Sequence, residues 1–392
     1  MSSPRDIGEL ARPLMYIAPG GATLAQLLAK KMRVKFGVDP TAPDLHLGHF
    51  VVMRILSALQ KMGHTVILVI GDATARIGDP SERNRTRPVL TQREIATNLK
   101  TYVDQVKGYL NIAKVKIVYN SQWFDALSFT DLIGLAQNVT CAQILERDDF
   151  TLRLKDRTDI GLHELYYPLM QAYDSVKIRA QAEIGGSDQI FNMLLGRDLQ
   201  RKFHQKEQIV LGCELLVGTD GIKKMSKSYG NTITLNQKPE AIYTQLMQVP
   251  DEAMLSYARL LTTLKLAELE DELRRGANPK TVKHTIAQTI VQELFDLPTA
   301  QSARANFELV VERGELPSHI PTHRIKGTYT TLDLIMVLKL AESKNEARRL
   351  IAQGGITIDK RVLTNPAERL IVRSGMIVKR GKRGKIVALK TG

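Results

Sequence analysis

The stretch Val34-Lys35-Phe36-Gly37-Val38-Asp39-Pro40-Thr41-Ala42-Pro43-Asp44-Leu45-His46-Leu47-Gly48-His49, with Thr65-Val66-Ile67-Leu68-Val69-Ile70 beyond it, decides the fold. Val34, Phe36 and Val38 alternate with other residues, the period of a strand, which ends at Asp39-Pro40. Pro43-Asp44 is a helix start signal. Leu47, Val51, Ile55 and Leu59 then recur at helical spacing until Gly63 closes the helix. Thr65 to Ile70 is almost wholly apolar and rich in β-branched residues, as in a parallel strand covered on both faces. Strand, helix, strand in this order is the unit of a doubly wound sheet.

The same alternation extends outward. Thr91 with Glu94 forms a capping box for a helix to about Leu110, and Val115 to Tyr119 is the next strand. A helix around Leu162 to Asp174 follows, then a strand ending at Gly185-Gly186, a helix to about Phe203 and a strand near Ile209 to Val210. Beyond about Asn231 the pattern turns helical, from Pro239 to Glu315. Pro317 to Thr330 reads as a linker, and Thr331 to Gly392 as a small basic α/β unit. The expected class is α/β, a doubly wound parallel sheet over residues 1–230 with a helical domain at 231–316, the linker at 317–330 and a terminal unit at 331–392. Ligands of such sheets gather at the carboxyl ends of the strands.

Composition narrows the function classes. The 392 residues are 43% hydrophobic and 24% charged, which excludes wholesale disorder. No run approaches the length of a membrane span, and the amino terminus has no apolar export segment, so a cytoplasmic protein without a membrane partner is expected. Cys141 and Cys213 are too far apart in sequence for a thiolate zinc motif. Lys plus Arg exceed Asp plus Glu by 55 to 41, a net +14 that favours a polyanionic partner.

Five constellations could carry chemistry. His46 and His49, three apart at a helix start with Gly48 between them, suit a phosphate chain; the bland alternative is a cap with two surface histidines. No third ligand or H-E-x-x-H pattern accompanies them to favour a metal. Lys224-Met225-Ser226-Lys227-Ser228, between Gly221 and Gly230, is a loop that can close two ammonium groups on developing charge, or simply a solvated turn. Tyr167, Gln171 and Asp174, at offsets of four and seven, share one helical face: a polar ligand reader or an exposed polar stripe. Gly185-Gly186-Ser187-Asp188-Gln189 is a strand-to-helix turn that admits a ligand closely, or a helix cap. Asp79, in Gly78-Asp79-Pro80-Ser81 after the apolar strand, could bind an ammonium group or make an Asp-Pro turn.

The order of these motifs is more specific than any one of them. D-P-T-A-x-x-L-H-x-G-H, G-D-P-S, Y-x-x-x-Q-x-x-D, G-G-S-D-Q and K-M-S-K-S resemble the class I aminoacyl-tRNA synthetases over essentially the whole chain. The Y-x-x-x-Q-x-x-D and G-G-S-D-Q pair resembles the bacterial tyrosyl-tRNA synthetases in particular. The resemblance implies a Rossmann-like catalytic domain, an anticodon-side helical domain and a terminal RNA-binding domain of the ribosomal-protein type. It also implies a homodimer with its interface near residues 120–160. The partners would be L-tyrosine, ATP with its Mg²⁺, and tRNA(Tyr).

Residue by residue, the resemblance puts Thr41, His46 and His49 on one side of the ATP phosphates and Lys224 and Lys227 on the other. Gly48, Gly186 and Asp188 would meet the nucleotide, Asp188 at the ribose. Asp79, Tyr167 and Gln171 would bind the amino acid's ammonium group, with Asp39 and Gln189 beside the substrate. Asp174 would accept from the phenol, so that phenylalanine leaves it unpaired, a rule for which tyrosyl-tRNA synthetases are themselves the usual illustration. Where the best-known bacterial branch has a second phenol-reading tyrosine this chain has Lys35, which a longer-motif branch carries. Lys35 is expected either to pair with Asp174 or to point away. Glu82 stands where a glycine is usual, before Arg83, a position often basic for ATP. Arg348, Arg349, Lys379, Arg380, Lys382, Arg383 and Lys385 are the expected RNA-phosphate contacts. The competing readings are a tryptophanyl relative, against which Asp174 and G-G-S-D-Q speak, and a non-catalytic RNA binder, which would have no need of an ATP signature.

Overall fold

The computed structural model describes residues 8, 11–21, 24–40, 43–80, 91–313, 315, 320–381 and 386–391. The chain divides into two compact units, Met1–Gln301 and Ser302–Gly392.

The first unit is built on a sheet of six strands: β1 (Leu14–Ala18), β2 (Arg33–Val38), β3 (Thr65–Ile70), β4 (Val115–Tyr119), β5 (Ala182–Gly186) and β6 (Ile209–Cys213). Their order is β1-β6-β5-β2-β3-β4, parallel except for β1, which runs antiparallel to β6. The chain winds from β2 through β3 to β4 on one side, then returns to lay β5 and β6 on the other. The direction of winding therefore reverses between β2 and β5, and a crevice opens beyond their carboxyl ends.

Why these residues form these elements is plain from burial. Five of the six residues of β3 are buried, because helices cover both faces of the sheet. Helix α1 (Leu47–Lys61) turns Leu47, Phe50, Val51, Ile55, Leu56 and Leu59 into the core, and Gly63 terminates it at φ +88°. Helix α2 is Gln92–Val106; α3, α4 and α5 are Phe129–Ala136, Cys141–Leu145 and Asp148–Lys155. Helix α6 (Tyr166–Lys177) follows a single 3₁₀ turn, so the expected helix start at Leu162 is a tighter turn first. Pro168 falls in the first turn of α6, where its missing N–H costs nothing. Helix α7 is Ile190–Lys202. The buried guanidinium of Arg153 on α5 reaches both carboxylate oxygens of Glu164 at 2.9 Å, closing the 3₁₀ turn against α5.

A run of helices completes the unit: α8 (Pro239–Gln248), α9 (Asp251–Leu261), α10 (Leu266–Arg274) and α11 (Pro279–Leu294). Their core contains Ile242, Tyr243, Leu246, Tyr257, Leu260, Leu261, Ile286, Ile290 and Val291. Helix α12 (Leu297–Phe307) carries the division between the units.

In the second unit, β7 (Thr322–Arg324) and β8 (Thr328–Thr330) lie in the stretch expected as a plain linker. Their polar threonines give no apolar alternation. Backbone pairing to β13 and β11 orders them instead. Helices α13 (Thr331–Val337) and α14 (Lys344–Ala352) pack with β9 (Ile356–Ile358), β10 (Arg361–Val362), β11 (Arg369–Ile371), β12 (Ile377–Arg380) and β13 (Ile386–Lys390) around Leu334, Leu340, Ile351, Ile356 and Val378.

Leu56 is fully buried on the helix whose first turn carries both histidines. Leu56→Ala is expected to cost about 2–5 kcal/mol of stability in urea unfolding, because a packed core relaxes only partly around the void.

Candidate active site

The crevice between β2 and β5 is a cavity of about 220 Å³ whose lining includes Asp39, His46, His49, Asp79, Tyr167, Gln171, Asp174, Gly186, Asp188, Gln189 and Lys224. Residues read from five separate stretches of sequence thus converge on one space.

One end is built by α6 and the end of β4. Asp174 is 4% exposed, and its carboxylate accepts from Trp123 Nε1 at 2.9 Å and Asn120 Nδ2 at 3.3 Å. Burial pushes its acid up to about 7, against the opposing pull of Lys35, Trp123 and Asn120. One helical turn and more before it, Tyr167 donates to Asp39 Oδ2 at 2.9 Å, and Thr74 donates to Asp39 Oδ1 at 2.7 Å. Burial, then the charges of Asp39 and Asp79, hold the Tyr167 phenol well above its usual range, so it stays a donor. Gly71 is required here: a Cβ would lie 2.0 Å from Asp39 Oδ1 and 2.3 Å from Thr74 Oγ1.

Asp79 accepts from Arg147 Nη2 at 2.8 Å and from Gln189 Nε2 at 2.6 Å. Arg147 is itself buried, bonded also to Asp149 at 2.6 Å and Asn192 at 3.1 Å. Asn192 donates to the side-chain oxygens of both Gln171 and Gln189 at 2.9 Å. A polar ring therefore fixes Asp79 and Gln171, two of the three residues expected around an ammonium group, and Gln189 beside them, while Tyr167 is held by Asp39.

The other end is built by the start of α1 and the lysine loop. Backbone bonds tie the start of α1 to the segment that follows the loop, Leu47 N to Ile233 O at 3.0 Å and Leu235 N to Leu45 O at 2.9 Å. The His46 and His49 ring centroids are 4.0 Å apart with their planes tilted by 56°, and a Cβ at Gly48 would sit 3.0 Å from the His46 ring. Burial lowers both imidazoles, His49 down to about 4 with Lys227 adding to the effect, and His46 further still. Both rings are neutral at pH 7, and His46 Nδ1 is buried without a hydrogen-bond partner among the described residues.

The loop between Gly221 and Gly230, at φ +70° and +66°, is held by Asn231. That side chain accepts from Ser226 N at 2.9 Å and donates to Asp220 at 2.9 Å and to Lys224 O at 3.2 Å. Lys224 Nζ lies 2.7 Å from Asp188 Oδ2. Asp188, expected at a ribose, is thus tied to the loop expected at the phosphates. Gly186 stands where a Cβ would meet Asp188 Oδ1 at 2.7 Å and Leu215 at 2.8 Å.

Lys35 does not pair with Asp174. It is fully buried behind the cavity wall, 2.9 Å from Glu183 Oε1. In the second unit Arg348 and Arg349 are exposed on α14 and Lys379 is half-buried, whereas Arg380 is engaged by Glu346 at 2.9 Å and Leu340 O at 2.7 Å. Thr41, Glu82, Arg83, Lys382, Arg383 and Lys385 lie outside the described residues.

Trp123, Asn120, Arg147 and Asn192 were not foreseen. Trp123 is the chain's single tryptophan, three residues after Asn120 in the short helix Ser121–Phe124 that follows a strand, which is a readable signal. Arg147 carries none, since nothing in its own stretch announces a partner 68 residues away.

A parallel sheet with a glycine-rich crevice, a histidine pair on a helix start and a facing lysine loop defines a class I synthetase site. Comparison agrees: the sequence model for tRNA synthetases class I (W and Y) matches residues 28–312 and that for the S4 domain residues 330–379. The chain belongs to the tRNA synthetases class I (W and Y) and carries an S4 domain. It is 46% identical to a protein of Thermotoga maritima named tyrosine–tRNA ligase, over 84% of this chain and 83% of that one. A Moorella thermoacetica protein of the same name is 42% identical over 97% and 94%. Among solved structures, the tyrosyl-tRNA synthetase of Archaeoglobus fulgidus complexed with L-tyrosine shares the fold with a TM-score of 0.62 at 22% identity, over 76% of this chain and 98% of that one.

The Asp174 carboxylate gives a direct check on this geometry. Its acid is raised from 3.8 to about 7 in the folded chain, so the folded state keeps a proton the unfolded chain has lost. The stability this supplies is complete below about pH 4 and is lost as pH rises through 7. Trp123→Phe removes one donor to the ionised form and is expected to move the titration above 7, read from the carboxyl C=O stretch in difference infrared spectra.

Proposed function

We propose that this chain is a tyrosine–tRNA ligase that activates L-tyrosine with ATP, forming tyrosyl-adenylate and pyrophosphate. It then transfers the tyrosyl group to the 3′-terminal adenosine of tRNA(Tyr). The observation that carries the substrate choice is Asp174, a buried acceptor between Trp123 and Asn120, at one end of a cavity whose other end presents two imidazoles and an ammonium group. A phenol can donate to that carboxylate; a phenyl or indole ring leaves it unmatched, and an unmatched buried carboxylate is costly.

The first step needs no general base. The tyrosine carboxylate attacks the α-phosphorus, the α–β bridging P–O bond breaks, and pyrophosphate leaves. Asp39, Tyr167, Asp79, Gln171 and Gln189 hold the ammonium and backbone of the amino acid. Thr41, His46, His49, Lys224 and Lys227 receive the charge that builds on the leaving phosphates, with Gly48, Gly186 and Asp188 against the nucleoside. Neutral imidazoles suit this role as hydrogen-bond donors aimed at phosphate oxygen. Among the described residues no group of three or more His, Cys, Asp or Glu side chains is placed to hold a metal ion. Mg²⁺ enters as the companion of ATP. In the second step a terminal ribose hydroxyl attacks the adenylate carbonyl and AMP departs.

The catalytic domain is assigned to residues 1–230, with 231–316 on the anticodon side and 331–392 binding RNA through exposed Arg348 and Arg349, together with Lys379, Arg380, Lys382, Arg383 and Lys385. Exposed Phe129 and Leu162, with Ile133, Leu152 and Leu154, form apolar surface that fits a homodimer interface near 120–160. Cys141 and Cys213 are unpaired, in keeping with a cytoplasmic site. Among the described residues no helix is long and apolar enough to cross a membrane.

Amino-acid-dependent ATP–pyrophosphate exchange tests the reading. Exchange is expected with tyrosine and not with tryptophan or phenylalanine, and Asp174→Ala should abolish it; preference for tryptophan, or silence with all three, overturns the reading. Lys227→Ala should lower kcat on the order of 10²-fold, as loss of one oxyanion contact does. Binding of tRNA should weaken steeply between low and physiological salt, and Arg348→Ala with Arg349→Ala should flatten that dependence in filter binding.

A further inference from the structure

This inference rests on the proposed reading, in which Asp174 meets a phenol. Lys35 and Glu183 are register partners on the parallel strands β2 and β5, so both side chains leave the sheet on one face, beneath α6. Their side chains are 0% and 2% exposed. Lys35 Nζ donates to Gln171 O and to Ser175 Oγ, each at 2.8 Å. These two acceptors lie one turn apart on α6 and bracket Asp174. Glu183 Oε2 accepts from Ser175 Oγ at 3.0 Å and Gln208 Nε2 at 2.5 Å, while Oε1 is 3.4 Å from Gln171 Nε2. A buried ion pair is poor value for stability alone, since apolar residues of like volume usually do as well. Its placement astride the phenol-reading turn points to another use.

We infer that the Lys35–Glu183 pair is the positioning and specificity-setting element behind Asp174, fixing residues 171–175 and balancing the charge that Asp174 meets, so that the pocket separates a phenol from a phenyl ring. Lys35 touches no substrate; it acts through Asp174 and Gln171. The charged groups facing Asp174 among the described residues are Lys35 from β2 and Glu183 from β5, and the short helix Ser121–Phe124 after β4, with its cap Asn120, supplies the neutral donors Trp123 and Asn120. Lys35 favours the ionised carboxylate and Glu183 opposes it. Removing one or the other should therefore shift the site in opposite directions, which a merely structural role would not do.

The test is ATP–pyrophosphate exchange with tyrosine and with phenylalanine, from about pH 6 to 9, on wild type, Lys35→Met, Glu183→Gln and the double variant. For Lys35→Met the tyrosine-to-phenylalanine ratio of kcat/KM near pH 7 is expected to fall about tenfold, through tyrosine KM, and to recover at higher pH as Asp174 ionises. KM for ATP should stay within about twofold of wild type, because the nucleotide end is untouched. Glu183→Gln should move the acid limb of the tyrosine profile to lower pH, and the double variant should lie between. Folded variants that keep the wild-type ratio and acid limb overturn the inference alone. If Lys35→Met does not fold, the Glu183→Gln limb decides, and an unmoved limb overturns the inference. A wild-type chain silent with tyrosine overturns the proposed function and this inference with it.

Discussion

A carboxylate at Asp174 is 4% exposed at one end of the cavity, and its neighbours are arranged around that one unfavourable burial. Trp123 and Asn120 come to it from the short helix Ser121–Phe124 after β4 and its cap, and the helix that bears it is pinned from below by an ammonium group on β2. None of these would meet if the winding did not reverse between β2 and β5, because the reversal is what leaves a crevice at the strand ends rather than a closed layer. The glycines at 71 and 186 have the same origin: each stands where a Cβ would enter the space of a carboxylate at the cavity, Asp39 or Asp188.

The scaffold was largely legible in the residues themselves. Val34 to Val38, Leu47 to Leu59 and Thr65 to Ile70 have unambiguous periods, since each faces a single environment along its length. The helix start at Tyr166 was harder, because the 3₁₀ turn at Leu162 to Leu165 has the same spacing of apolar residues over so short a run. Strands β7 and β8 were missed for the opposite reason: they are polar and three residues long, and only pairing with distant segments orders them.

The site divides along similar lines. Residues that announce themselves in short motifs, such as His46, Asp174 and Lys224, are among those that line the cavity. Residues that act at a distance in sequence do not announce themselves. Arg147 orients Asp79, Asn192 joins Gln171 to Gln189, and Asn231 latches the lysine loop, each through side-chain geometry that only the folded chain creates. Lys35 is the instructive case, for both outcomes weighed from the sequence treated Asp174 as its reference, and its partner proved to be the neighbour across the sheet.

The two ends of the cavity answer differently to acidity. Burial carries His46 and His49 far below neutrality and Tyr167 and Cys213 far above it, while Asp174 is brought to about 7. The two imidazoles accordingly keep one charge state across the physiological range, and Asp174 does not. Under the proposed function, a fall in pH through 7 would therefore act at the tyrosine end of the cavity and leave the nucleotide end unchanged.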